Sequence, residues 1–480
     1  MKNLENIKSE LNSFGIRVPE ILLPKNIDIK SWSVIACDQY TQDLEYWKKA
    51  EATAAGKPST LNLILPEVYL NSPDKAERIE KIRKTMKEYL GGAEAGAGAE
   101  STGGAGSGAG CADGGAGTAG HTGVFDKARE CMIYIERKTA FGRTRRGLVA
   151  QIDLETYEWK PFSTANIRAT EATIVERIPP RMEIRRGAAL ELPHIMLLVD
   201  DKDDLLVGGS GALAKKKAPL YDGELMCNGG SITGWAVESE DELAGLADAV
   251  SKIAEKKRAA DGSTFLFAVG DGNHSLATAK AVWDEYKAKL IAQGADEAEI
   301  AECPVRFALV EIVNIYDTGL TFEPIHRVIF NIETEKLIKT LAEKLGGQAA
   351  EVSSADELEA AVKASHADFG FAFREGGKGK QKYVLLKTGI TELAVARLQP
   401  EIDAFLKAEG GKAAEIDYIH GSDEVIKLGE RENAVGILLP PIAKDSFFET
   451  ISGRGPLPRK SFSMGEADEK RFYLECRKLF

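Results

Sequence analysis

The sequence predicts an α+β protein with a mixed sheet, a small α/β subdomain and a flexible insertion rich in Gly and Ala. Residues 264–288 have the pattern of an apolar strand, a glycine turn and a helix. Residues from about 334 to 387 alternate between helical and strand patterns. Residues 91–123 are nearly all Gly, Ala, Ser and Thr, which cannot bury a core.

The predicted organisation follows the order of the chain. Its length of 480 residues allows two to four domains, or one large domain with insertions. We expect residues 1–90 to form the N-terminal part of a core and 91–123 a disordered insertion. The remainder is predicted to divide into a central α/β domain at 124–330, a small α/β subdomain at 331–395, and a C-terminal part at 396–480 that returns to the core.

Individual elements follow from periodicity and from turn residues. Residues 61–65, an apolar run that ends at Pro66, predict a strand, and residues 74–90 predict a charged amphipathic helix. Residues 132–136 and 146–154 predict a strand pair. The glycines at 208–211 lack the Gly-Lys-Ser/Thr ending of a P-loop and predict an ordinary loop.

Composition limits the classes of partner. The net charge of −12 is spread along the chain, which argues against nucleic acid or an anionic membrane but leaves room for a local basic pocket. No apolar run is long enough to span a bilayer. The six cysteines are scattered and indicate reduced thiols, so we expect a cytoplasmic protein. A homo-oligomer remains open.

The turn after residues 265–269 concentrates polar groups in one place. It contains Gly270, Asp271, Gly272, Asn273 and His274. Between a strand and a helix, free backbone N–H groups and the helix dipole favour an anion there. The two glycines would let the backbone approach a ligand closely. A phosphate-binding turn and an ordinary β–α turn capped by Asn are equally consistent with these residues alone.

Three other segments carry candidate site residues. Asp38 ends a short apolar run and could place a carboxylate at a sheet rim or simply cap a helix. Arg168 and Glu171 lie in a segment dense in Arg, Glu and Thr, which is either a solvated loop or an arginine clamp beside a carboxylate. His326 and Arg327 follow a proline in a predicted rim loop.

Several ordered motifs resemble one family. The string FAVGDGNHSLATAK resembles the D-G-H-H-R turn of the family called domain of unknown function 1015. Further matches occur in the same order as in that family: CDQYT, IRATEATIVERIPPR, GLTFEPIHRVI, DYIHG and LPRKSFSM. The resemblance covers nearly the whole chain except the Gly/Ala insertion.

The resemblance implies a ParB/sulfiredoxin-like core, which free serine kinases share, and a kinase that uses ATP or ADP with Mg²⁺. The acceptor would be free L-serine or a similar small hydroxyl compound. The residues from Gly270 to His274 would then hold the nucleotide phosphates, and Asp271 would contact Mg²⁺. Glu171 or Asp38 would orient or deprotonate the hydroxyl, with Glu171 preferred, while Arg168 and Arg327 would neutralise charge.

One position departs from the family pattern. Ser275 stands where the family turn has arginine, so one phosphate contact is either absent or supplied from elsewhere, for which Arg168, Arg327 and Arg459 are the candidates. Two further hypotheses are a ParB-like nucleotide-binding switch without an acceptor and a non-catalytic interaction protein. A metal hydrolase is less consistent with the sequence, because it has no H-x-x-x-H or similar ligand pair.

Overall fold

The structure is a computed structural model that describes residues 3–91, 123–409 and 413–480. The predicted disordered insertion at 91–123 therefore lies, apart from its two end residues, outside the described residues. Within the described ranges, no helix is long and apolar enough to cross a membrane.

The helices are distributed along the described parts of the chain. They are α1 (Leu4–Ser13), α2 (Ile29–Trp32), α3 (Leu44–Ala54), α4 (Lys75–Tyr89), α5 (Ile178–Arg185), α6 (Val207–Ala214), α7 (Glu240–Lys257), α8 (Asn273–Ala292), α9 (Glu297–Glu302), α10 (Thr334–Leu345), α11 (Ala355–Lys363), α12 (Ala394–Glu409), α13 (Ser422–Gly429) and α14 (Lys444–Arg454).

The strands occur between these helices and form two large sheets and three short pairs. They are β1 (Ile16–Arg17), β2 (Glu20–Ile21), β3 (Arg129–Glu130), β4 (Met132–Lys138), β5 (Thr144–Asp153), β6 (Tyr157–Glu158), β7 (Ile167–Ala169), β8 (Leu190–Glu191), β9 (Met196–Val199), β10 (Tyr221–Glu224), β11 (Ser231–Val237), β12 (Phe267–Asp271), β13 (Phe307–Asn314), β14 (Phe322–Pro324), β15 (His326–Phe330), β16 (Gln348–Val352), β17 (Phe369–Arg374), β18 (Gln381–Lys387), β19 (Glu415–Ile419), β20 (Ala434–Leu438), β21 (Phe462–Met464) and β22 (Arg477–Lys478).

The larger sheet has ten strands with mixed pairing. Its order is β10-β11-β4-β5-β13-β9-β12-β7-β6, with β1 beside β5. The predicted pair at 132–136 and 146–154 is confirmed by antiparallel β4 and β5. Strand β12 runs parallel to β7 and antiparallel to β9. The end of β12, the end of β7 and the start of β9 therefore meet at one edge of the sheet.

The second sheet has six antiparallel strands in the order β16-β18-β17-β20-β15-β19. The predicted alternation of helix and strand over 334–387 is confirmed by α10, β16, α11, β17 and β18. Because β15, β19 and β20 join them, this sheet extends beyond the predicted borders of the subdomain at 331–395. The domain boundaries themselves stay a prediction.

Strand β9 shows why its sequence is apolar at every position. Leu197 and Val199 pack into one hydrophobic core, whereas Met196 and Leu198 pack into a second core shared with the six-stranded sheet. The larger sheet is therefore buried on both faces at this point, and continuous apolar runs are typical of such strands. The architecture is a mixed α/β arrangement around a large mixed sheet, as the sequence predicted in outline.

One predicted strand is wrong. Residues 61–65 include a 3₁₀ helix, Thr60–Leu63, rather than a strand. The side chain of Ser59 accepts a hydrogen bond from the Leu61 amide and starts that turn. Leu63, Ile64 and Leu65 are buried, but local capping decided the conformation of this segment.

The predicted loop at 208–211 is also wrong, because these residues lie in α6. A Cβ atom at Gly208 would stand 2.2 Å from an oxygen of Asp204, and one at Gly211 would stand 2.4 Å from the ring of Tyr134. The glycines therefore permit the helix to lie close against its neighbours. Close packing, rather than turn formation, explains this glycine-rich run.

Candidate functional site

The glycine turn leaves the N-terminus of α8 open. Gly272 precedes the helix in the left-handed conformation, with φ of 81°, and no side chain caps the helix. Helix α7 differs, because Ser239 and Glu242 form a capping box and its first turn is acidic. The first turn of α8 has no acidic residue. Its N–H groups and dipole therefore favour an anionic ligand over a neutral one.

Gly270 has a packing role in this turn. A Cβ atom there would lie 2.8 Å from both Leu198 and the sulfur of Met464. The register between β12 and β9 also shifts between Val269 and Asp271. The close approach predicted for the two glycines thus serves protein packing at Gly270, while Gly272 provides the backbone conformation.

Asn273 ties two loops together through its side chain. Its Oδ1 accepts a hydrogen bond of 3.1 Å from the Thr170 amide, and its Nδ2 donates to Thr170 Oγ1 at 3.2 Å and to the Val269 carbonyl at 3.3 Å. The amide group is therefore engaged in fixing the loop after β7 against the turn. Its role in phosphate binding stays a prediction for its backbone N–H alone.

His274 is held as a neutral ring. Its Nε2 accepts a hydrogen bond of 3.2 Å from the Ile174 amide, so the neutral ring carries its proton on Nδ1. Burial, and then the positive charges of Arg177, Arg181 and Arg459, lower the pKa of His274 to about 4. These are the arginines that act on the turn, and they include Arg459 from the predicted set.

Glu171 follows β7 and lies beside the turn. Burial is the main cause that raises its pKa to about 7, and the negative charge of Asp271 acts in the same direction. A hydrogen bond from the Ser461 amide and the charges of Lys460 and Lys470 oppose this shift. A carboxyl group with such a pKa can exchange a proton near neutral pH.

Residues 457–471, which we call the C-terminal segment, complete this edge. The Leu457 amide donates to the Thr170 carbonyl at 2.7 Å, and the Ala172 amide donates to the Leu457 carbonyl at 3.2 Å. Lys470 Nζ lies 3.3 Å from Asp271 Oδ2. Arg459 of this segment was among the predicted candidates for a phosphate contact, but Lys460 and Lys470 were not among the predicted site residues.

Two predicted arginines are engaged elsewhere. Arg168 donates to the Ala165 carbonyl at 2.8 Å and stacks over Phe265. Arg327 is fully buried and donates to Gln399 at 3.0 Å, and burial lowers its pKa to about 10. The negative charge of Glu171 opposes this lowering of the Arg327 pKa.

Asp38 and His326, the remaining candidates, have hydrogen-bond partners outside the turn. Asp38 accepts a hydrogen bond of 3.2 Å from Gln39. Burial and then the charge of Asp38 raise the pKa of the neighbouring Cys37 to about 12. His326 accepts a hydrogen bond of 3.0 Å from the Leu439 amide within the second sheet. His326 is thus a buried histidine with a satisfied hydrogen bond.

The described residues contain no group of three or more His, Cys, Asp or Glu side chains that could hold a metal ion. Asp271 is the predicted metal contact, and its Oδ1 accepts from the Gly272 amide at 3.1 Å while Oδ2 faces Lys470. A cation at Asp271 would therefore need further ligands from a bound molecule.

Comparison with known proteins gives one family and several distant structures. The model of the family described as protein of unknown function (DUF1015) matches residues 21–93 and 120–404. A mutant free serine kinase in complex with AMP is 11% identical, with a TM-score of 0.35 over 69% of this chain and 92% of that chain. Another in complex with ADP is 10% identical, with a TM-score of 0.34 over the same shares.

A conserved hypothetical protein from Pyrococcus furiosus is 12% identical, with a TM-score of 0.32 over 66% of this chain and 90% of that chain. No curated protein matches the sequence.

Proposed function

The chain belongs to the DUF1015 family, and from this premise we propose that it is a nucleotide-dependent kinase of a small hydroxyl compound. The first acceptor to test is free L-serine. The geometry of the turn carries the proposal, because structural likeness with a TM-score of 0.35 is too low to support it. We extend the proposal to a ParB/sulfiredoxin-like core, in which the larger sheet presents the turn at its edge.

The main observation is the combination of Glu171 with the open N-terminus of α8. The carboxyl group has a pKa of about 7, and the charge of neighbouring Asp271 contributes to it. An aligned hydroxyl, a base for its proton and cations for phosphate oxygens are the chief requirements of phosphoryl transfer. Around the turn, Glu171 is the candidate base, and Arg459 and Lys460 are the candidate cations.

The residues present fit a nucleotide phosphate. The uncapped amides at the start of α8 offer donors, and Lys460 and Arg459 are exposed near Glu171 and His274. Among the described residues, neither Lys460 nor Arg459 forms an ion pair. Free cations beside an open helix N-terminus are the combination that binds phosphate groups of ATP or ADP.

Asp271 fits Mg²⁺ on the chemistry of its oxygen atoms. Proteins commonly bind this ion through one or two carboxylates together with substrate phosphates, so a single aspartate at the turn suffices. When bound, Mg²⁺ would neutralise charge on the phosphate oxygens. Lys470, which now pairs with Asp271, is the residue whose position must then change.

In the proposed reaction, Glu171 in its ionised form takes the proton of the acceptor hydroxyl. The hydroxyl oxygen bonds to the terminal phosphorus of ATP or ADP, the bond from that phosphorus to the bridging oxygen breaks, and ADP or AMP leaves. The backbone N–H groups of Asn273 and His274 bind phosphate oxygens, and His274 donates from Nδ1. Lys460 and Arg459 stabilise the negative charge that shifts between those oxygens. Asp38 is not needed for these steps, although its predicted role is open to the same assay.

The test measures phosphoserine formed from L-serine by the purified protein with ATP or ADP and Mg²⁺. We expect the Glu171→Gln variant to lose about 100- to 10,000-fold in rate, the usual contribution of a positioned base. The matched control is Glu176→Gln, because Glu176 is an exposed carboxylate of the same loop. It should retain the wild-type rate.

Three outcomes would contradict the proposal or one of its parts. Equal rates for the Glu171→Gln and Glu176→Gln variants would remove Glu171 as the base. Nucleotide hydrolysis that no hydroxyl compound changes would instead indicate a nucleotide-binding switch. A thermal-shift measurement with ATP and ADP comes first, since a protein that no nucleotide stabilises is not a kinase of this kind.

A further inference from the structure

A cavity of about 150 Å³ lies beside α8, next to the open turn but outside the phosphate-binding residues. Its wall is mostly apolar and is formed by side chains from the N-terminal region, α4, α5, the segment 188–192 and the last residues of the chain. Its apolar side chains include Leu63, Leu65, Met86, Ile184, Ala188 and Leu479.

One side of the cavity is polar and carries a chain of hydrogen bonds. Ser275 Oγ lies 2.8 Å from His194 Nε2, and His194 Nδ1 lies 3.0 Å from the hydroxyl of Tyr473. The Cys37 amide donates to that same hydroxyl at 3.3 Å. Ser275, His194 and Tyr473 all line the cavity. The hydroxyl of Ser275 therefore offers a ligand one hydrogen-bonding group linked to a fixed network.

The charged side chains of the wall are already paired. Arg181 Nε donates to Glu67 at 2.9 Å, and Arg185 lies 2.6 Å from Glu191. Burial keeps the Cys37 thiol neutral by raising its pKa to about 12. A zwitterion such as L-serine would lose its hydration without finding an unpaired counter-charge. A neutral ligand does not have this cost.

We propose that this cavity is a binding site for a neutral molecule with an apolar body about the size of a benzene ring and a single hydroxyl group. An apolar cavity of about 150 Å³ accommodates benzene in an engineered protein, so the volume fits. The hydroxyl hydrogen-bonds to Ser275 and the body packs against the leucines and Met86. The site is separate from the phosphate turn, and its occupation does not depend on the proposed function.

The test is calorimetric titration of the full chain with phenol, without nucleotide. We expect saturable binding to one site with a Kd of about 1 mM or tighter. L-serine, added at tenfold excess over phenol, leaves this Kd unchanged. Absence of saturable binding to the wild-type protein would overturn the proposal without any variant.

Three variants locate the bound phenol. Ala188→Leu fills the cavity and abolishes binding of phenol and of toluene. Ser275→Ala weakens phenol binding about two- to tenfold, the range of one hydrogen bond, but leaves toluene binding unchanged. Ser263→Ala, in a turn outside the cavity wall, has no effect. Unchanged phenol binding in a folded Ala188→Leu variant would show that phenol binds elsewhere and would overturn the assignment.

The Glu171→Gln variant separates this proposal from the proposed function. It should bind phenol as the wild type does, whatever its effect on phosphoryl transfer. A protein that binds phenol but phosphorylates no acceptor would retain the cavity site and lose the kinase.

Discussion

Two charged clusters include residues of the C-terminal segment, and they differ in whether each charge has an oppositely charged partner. The first, which we call the buried ion network, comprises Arg145, Glu311, Arg471 and Glu475, each no more than 3% exposed in its side chain. Glu311 lies 3.2 Å from Arg145 and 3.1 Å from Arg471, while Arg471 also pairs with Glu475.

The second, which we call the turn cluster, comprises Glu171, Asp271, His274, Arg459, Lys460 and Lys470. Only the pair of Asp271 and Lys470 is an ion pair within the described part of the chain. Arg459 and Lys460 are exposed, and Glu171 has a raised pKa. Matched buried charges indicate a structural role, because each needs its partner. Unmatched charges beside an open helix end indicate a ligand.

The largest effect is expected from breaking the buried ion network. Glu311→Ala leaves Arg145 and Arg471 without their shared counter-charge, so the free energy of unfolding should fall by about 3–5 kcal/mol in urea denaturation. The control Glu302→Ala removes the exposed carboxylate paired with Arg17 and should cost less than about 1 kcal/mol. Similar losses in both variants would contradict the structural role of the network.

Replacing Glu171 in the turn cluster should raise the free energy of unfolding near neutral pH, whereas replacing Glu311 lowers it. Its folded pKa of about 7 exceeds the ordinary value of 4.5, so the stability it contributes is complete below pH 4.5 and is lost as pH rises through 7. Glu171→Gln removes this loss. Relative to the wild type, the variant should gain about 2 kcal/mol of unfolding free energy between pH 5 and pH 8, measured in urea. A constant difference across this range would contradict the raised pKa.

The pH dependence of turnover follows from the same group. As a base, Glu171 must be ionised, so kcat/KM should rise about tenfold per unit below pH 7 and level off above it. His274 does not produce a step there, because its pKa is lowered to about 4. A profile that is flat from pH 5.5 to 8 would exclude Glu171 as the group that accepts the proton.

The smallest effect is expected at the exposed rim. Arg459→Gln removes one solvent-exposed cation, so nucleotide affinity should fall about two- to fivefold, and less at high salt. Arg374→Gln in the second sheet provides the control, because Arg374 donates to a backbone carbonyl there. Titration calorimetry at two ionic strengths measures both. A loss that salt does not reduce would mean that Arg459 acts by packing.

Periodicity predicted the elements that are long and buried. The strand pair of β4 and β5 is present as predicted, and so are the strand and helix within 264–288, although β12 extends to Asp271 and α8 begins at Asn273. The segments at 61–65 and 208–211 were predicted wrongly, since a serine cap and close packing of glycines are not visible as periodicity. Local pattern thus predicted the sheet better than its connections.

The candidate site was predictable only in part, for a similar reason. Glu171 and His274 lie in local motifs; His274 belongs to the turn itself, and Glu171 lies beside it. Arg168 and Arg327 have the same motif context, but contacts with Ala165 and Gln399 hold them elsewhere. Lys470 pairs with Asp271 although 199 positions separate them in the sequence, and local residue patterns do not predict contacts at that separation.

The return of the C-terminal segment has a consequence for the order of events during synthesis. Strands β4 to β13 are synthesised before Lys460 and Lys470. Until those lysines are synthesised, the turn and the N-terminus of α8 lack these two cations. The same late residues bring Arg471 to Glu311. A chain interrupted before residue 457 therefore lacks one of the two counter-charges at Glu311 and also the cations at the turn, so we expect it to lose stability and ligand binding together.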